Sequence, residues 1–112
     1  VLAVGALLGL VTATWLGYAH LTGATVVVVE TGSMAPAIPQ GTAAVAVPVP
    51  AAELRVGDVV TVRRDDASPR VTHRVVAVAP VEGNDERRSL TLQGDANTTP
   101  DLFPYEVDGA LR

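Results

Sequence analysis

Cysteine and lysine are both missing from the 112 residues. Without cysteine the chain has no disulfide, no thiolate metal site and no thiol nucleophile. Without lysine, any general base must be a histidine or a shifted carboxylate. Histidine is scarce too, with only His20 and His73, and all eight basic residues are arginine. The net charge of -4 argues against a nucleic-acid backbone as partner. Aromatic residues make up 4% of the chain, so core and interfaces must be built from aliphatic side chains.

Charge is absent from one long stretch. Val1 to Leu21 carries no Asp, Glu, Lys or Arg, and Thr12, Thr14 and His20 are its polar interruptions. As a helix it extends roughly 31 Å, about the thickness of bilayer hydrocarbon. A cleaved secretory leader has a shorter apolar core, so the length favours a retained anchor over residues 1–21. Trp15 and Tyr18 lie toward its C-terminal end, where they suit a membrane–water interface. No Lys or Arg flanks its N-terminal side, so charge assigns no orientation.

Residues 22–112 read as one small β-rich unit. ATVVVVE (24–30), TAAVAV (42–47), VVTVR (59–63), RVTHRVVAV (70–78) and SLTLQG (89–94) have strand composition, with a short strand at Tyr105 to Val107. Gly and Pro punctuate them, and EGNDERR (82–88) reads as a charged connection. The pattern predicts an all-β fold, a small curled or partly closed antiparallel domain behind the anchor, because closure would remove exposed edges.

TGSMAP (31–36) places Ser33 at the end of a strand. A serine hydroxyl needs a neighbouring base to become a nucleophile. His73 is the one histidine outside the anchor, in VTHRVV; the plainer alternative is a half-exposed strand histidine. If strands 70–78 and 89–94 form a hairpin centred on Gly83–Asn84, Asp95 falls almost opposite His73, where a carboxylate would orient the ring. Asp101 is the second candidate acid. The Ser33 amide and the Thr31 hydroxyl are candidate oxyanion donors. Met34 is a candidate apolar contact for a small substrate side chain or for lipid.

Four motifs in order, TGSMAPAIPQG, VGDVV, VTHRVV and QGDANTTPD, resemble the type I signal peptidases. The likeness is to the histidine-dependent branch that includes the endoplasmic-reticulum catalytic subunit and the SipW-like enzymes. The resemblance implies Ser33 as nucleophile, His73 as general base, Asp95 and Asp101 as assisting acids, and Thr31 in the oxyanion hole. It implies neither a metal nor an organic cofactor. It also implies a single-pass cell-membrane protein with its catalytic domain on the extracytoplasmic face. That enzyme would act as a serine endopeptidase, removing signal peptides after small residues in an Ala-X-Ala pattern. The implied partners are signal-peptide-bearing preproteins, the lipid bilayer and the protein-export translocon. Many relatives continue further after Asp101, so the C-terminal closure is expected to be truncated or reduced. The expectation from another class is a membrane-anchored β module that organises envelope proteins without catalysis.

Overall fold

The computed structural model describes all 112 residues, Val1–Arg112. An α-helix, α1, runs from Leu2 to Thr22 with none of its residues buried by the rest of the chain. It is long and apolar enough to cross a membrane. The hydroxyls of Thr12, Thr14 and Thr22 each donate to the carbonyl four residues earlier, at 2.7 to 2.9 Å. That leaves no threonine hydroxyl proton of the helix unsatisfied in an apolar surrounding. Gly23 ends the helix with φ 71°, a left-handed conformation that favours glycine.

Strand β1 (Thr25–Val28) pairs antiparallel with β2 (Ala43–Ala46) as a two-stranded ribbon. Ser33 lies in the loop between them. After Val47 the chain enters a second, six-stranded antiparallel sheet. Its strands are β3 (Pro48–Pro50), β4 (Val59–Val62), β5 (Val71–Val81), β6 (Asn84–Gln93), β7 (Tyr105–Val107) and β8 (Gly109–Leu111), in the spatial order β3-β8-β4-β5-β6-β7. A 3-10 turn over Ala51–Glu53 links β3 to the segment before β4.

The expectation of an all-β, curled or partly closed domain is therefore corrected. The chain is mixed, one helix followed by two antiparallel sheets, and the larger sheet is open because β3 and β7 are its two edges. The physical reason lies in the edges themselves. Pro48 and Pro50 remove backbone donors from β3, and β7 is only three residues long. Such edges resist pairing with another chain without closure. β8 and β3 have no counterpart in the sequence reading. Proline argued against one, and the short GAL segment lacked a readable alternation for the other.

The core explains why the long hairpin holds together. Val60 and Val62 of β4, Val75 of β5, and Leu90 and Leu92 of β6 are buried with Ala51, Leu54, Tyr105, Val107 and Ala110. In β6, Leu90 and Leu92 alternate with the partly exposed Ser89, Thr91 and Gln93, as a strand with one buried face requires. Thr61 is the one buried polar residue, and its hydroxyl is paired with that of Thr72 at 2.8 Å. The charged segment read as a connection is instead strand from Asn84 onward, with Gly83 at φ 79° in a tight turn.

Leu92 is fully buried. Leu92→Ala should lower stability by about 2–5 kcal/mol, measured by denaturant unfolding of the β signal in detergent; a loss within experimental error would mean the core is not centred on this face.

Candidate active site

Three separate parts of the chain meet where β5 begins and β6 ends. His73 sits on β5 opposite Val60 of β4. Ser33 comes from the β1–β2 loop. This loop is closed by backbone bonds from Val29 to Thr42, Gly41 to Val29 and Ile38 to Met34, and by the Gln40 side chain on the Glu30 carbonyl. Asp101 comes from the segment after β6, its amide donating to the Leu92 carbonyl at 2.7 Å.

The side chains form a continuous array. Ser33 Oγ lies 3.0 Å from His73 Nε2, and His73 Nδ1 lies 2.8 Å from Asp101 Oδ2. The imidazole and the carboxylate are largely shielded, with 13% and 14% of their side-chain surface exposed. Tyr105 Oη donates to the same Asp101 oxygen at 3.0 Å. Thr31 Oγ1 is 2.9 Å from Ser33 Oγ and accepts a long bond, 3.4 Å, from the Ser33 amide.

Donor counting orients every proton in this chain. An ionised Asp101 accepts only, so Nδ1 of a neutral His73 carries the ring proton and Nε2 is the acceptor. Ser33 Oγ–H therefore donates to Nε2. Its oxygen is left to accept from Thr31, whose own oxygen accepts from the Ser33 N–H. This is the tautomer and direction that nucleophilic serine chemistry requires.

Ser33 is brought close by an approach that only glycine permits. A Cβ on Gly94 would stand 2.6 Å from the Ser33 carbonyl oxygen and 2.9 Å from the Ser33 Cβ. Beside it, the Ala96 amide donates to that same carbonyl at 2.8 Å. The end of β6 thus fixes the Ser33 backbone from one side. The QGDAN motif held this information, but in the sequence alone Gly94 reads as a turn residue.

Two site expectations change. Asp95 is not the partner of His73. Arg74 pairs with Gln93, and a register shift lies between Val75 and Ala77, so the hairpin argument misplaces the acid beyond the strand end. Asp95 instead takes a two-pronged ion pair from Arg74, with Nε and Nη2 each at 2.8 Å. The Arg74 guanidinium holds the Asp95 carboxyl below the usual carboxylate range. Arg74 also donates to the Gly57 carbonyl, tying the GD turn to this corner. Met34 is fully buried, so it anchors the Ser33 loop and meets neither substrate nor lipid. Thr31, Ser33, His73 and Asp101 come together as expected.

A cleft of about 620 Å³ opens from this array. Val26 to Val29 of the β1 side form one wall, and Val71, Thr72 and His73 of β5 form another. Glu30, Arg63 and Arg70 also line it.

No group of three or more His, Cys, Asp or Glu side chains is arranged to bind a metal ion. A hydroxyl, an imidazole and one carboxylate are not a metal-ligand set, so that observation does not bear on the Ser33–His73–Asp101 array. No family model matches the chain, and neither a curated protein nor a solved structure matches it. The sequence-level identification as signal peptidase I is corrected accordingly: nothing places the chain in a particular signal peptidase family. The Ala-X-Ala preference rests on no contact in the cleft and is dropped.

Gly94→Ala should displace Ser33 and cut Ser33-dependent hydrolysis by about tenfold to a hundredfold, with the folded β signal retained. Asp101→Asn should cost about a thousandfold or more through the wrong imidazole tautomer, whereas Asp95→Asn should change the rate only a few-fold. Equal losses in the two aspartate variants would overturn the assignment of Asp101.

Proposed function

We propose that the chain is a membrane-tethered hydrolase in which Ser33 attacks an acyl carbonyl. The observation that carries this reading is the pair of hydrogen bonds from Ser33 through His73 to Asp101. His73 Nε2 accepts the Ser33 proton as the Oγ–carbon bond forms, and Asp101 stabilises the imidazolium that results. The oxyanion is met by the Ser33 N–H once Thr31 gives up that donor, with the Thr31 hydroxyl free to turn toward it. His73 then protonates the leaving group, and water, deprotonated by the same imidazole, hydrolyses the acyl-serine.

Two features support a polypeptide segment at the membrane surface as substrate. The cleft is walled by β1, which uses one edge for β2 and leaves the other without a strand partner. An extended peptide can form main-chain bonds to such an edge. β1 also begins three residues after the last residue of a helix able to span a bilayer. A substrate anchored in the same membrane would reach the cleft at high effective concentration. The motif resemblance favours signal-peptide-bearing preproteins within this class, supplied by the export machinery to an extracytoplasmic catalytic face.

The test is cleavage of membrane-anchored precursor proteins by the full chain in lipid. Ser33→Ala and His73→Ala should each lose at least about a hundredfold in rate. The wild-type profile should show an ascending limb as pH rises, because the base must be neutral to accept the Ser33 proton. Undiminished cleavage by His73→Ala, or no turnover of any acyl substrate by the wild type, would end this reading; the latter would favour a non-catalytic β module.

A further inference from the structure

The acid of the array has a second donor that the proposed mechanism does not use. Tyr105 on β7 is 7% exposed, and its hydroxyl reaches Asp101 Oδ2, the oxygen that also takes His73 Nδ1–H. Arg64, just past β4, fixes this tyrosine and its loop together. Its guanidinium carbon lies 4.2 Å from the centre of the Tyr105 ring, and its two terminal nitrogens donate to the Pro104 and Phe103 carbonyls at 3.0 and 3.1 Å. One cation thus clamps the segment between Asp101 and Tyr105 from the far side.

We infer that Tyr105 is a positioning residue that sets the basicity of His73 through Asp101, with Arg64 holding it in place. The inference rests on the hydrolase reading for its role in turnover, and on the hydrogen bonds alone for its effect on the imidazole. A neutral donor on a carboxylate oxygen draws charge away from it. That weakens the pull of Asp101 on a protonated imidazole, so His73 remains a neutral acceptor to lower pH. The tyrosine is itself kept as a donor: burial, and then the bond to Asp101, raise it above the ordinary phenol range.

The other groups near His73 do not duplicate this effect. Asp95 is within electrostatic reach but is paired with Arg74, the next residue on β5. Thr31 and Ser33 approach from the β1–β2 loop without charge. Glu30, Arg63 and Arg70 line the same cleft and have no hydrogen bond to the imidazole. Tyr105 and Asp101 are the groups coupled to Nδ1.

Tyr105→Phe removes one oxygen and keeps the ring in its buried site. The full chain in detergent micelles, with Ser33→Ala to silence turnover and His20→Gln to leave one histidine, allows the His73 ring to be titrated by NMR. Adding Tyr105→Phe should move the midpoint upward by about half a pH unit. In the catalytically intact chain, the ascending limb of precursor cleavage should move the same way, with KM unchanged. An unmoved or lowered midpoint in a folded variant would overturn the assignment, since a tyrosine that only fills core space has no reason to touch the titration. A wild type without turnover would end the hydrolase reading alone and leave the titration to decide the role of Tyr105.

Discussion

The 3.0 Å hydrogen bond between Ser33 Oγ and His73 Nε2 crosses from one sheet to the other. Its donor belongs to the loop of a two-stranded ribbon and its acceptor to the centre of a six-stranded sheet. Nothing local to either motif creates it. It exists because Gly94, at the end of β6, lets that strand come against the Ser33 backbone, and because the Ala96 amide then grips the Ser33 carbonyl. The buried Met34 holds the loop from within. The site is thus a property of how two sheets meet, and small residues at the seam are its condition.

Much of this was legible in the residues. The uncharged run from Val1 predicted a helix of spanning length, and six of the eight strands stand where strand composition indicated. The candidate base followed from elimination: with no cysteine or lysine, and one histidine beyond the anchor, His73 was the partner available to a serine, and Ser33 was picked out by its motif rather than by scarcity. Composition can expose such a shortage because it needs no geometry. Closure of the sheet was the wrong inference from a sound premise. Edges do have to be protected, but proline and brevity protect them here.

The acid shows where pattern reasoning stops. Asp95 and Asp101 are both near the end of β6, and simple pairing across the hairpin favours the first. A register shift between Val75 and Ala77 breaks that simple pairing. Arg74, beside His73 in sequence, then claims Asp95, leaving Asp101 to the imidazole. No periodicity reveals a bulge of this kind. Arg64 and Tyr105 were invisible for a related reason, since their meeting depends on strands far apart in the chain. The two aspartates consequently do different work, one tying a corner of the sheet and one orienting the ring.

One short chain combines a helix long and apolar enough to cross a membrane, a free strand edge and a serine hydroxyl bonded to an imidazole. The proposed hydrolysis stands on Ser33 and His73 acting as one unit. A double-mutant cycle on cleavage of a membrane-anchored precursor measures that directly. If the pair shares one proton transfer, the Ser33→Ala/His73→Ala chain should be no slower than either single variant. Losses that multiply would show two independent contributions and contradict the account.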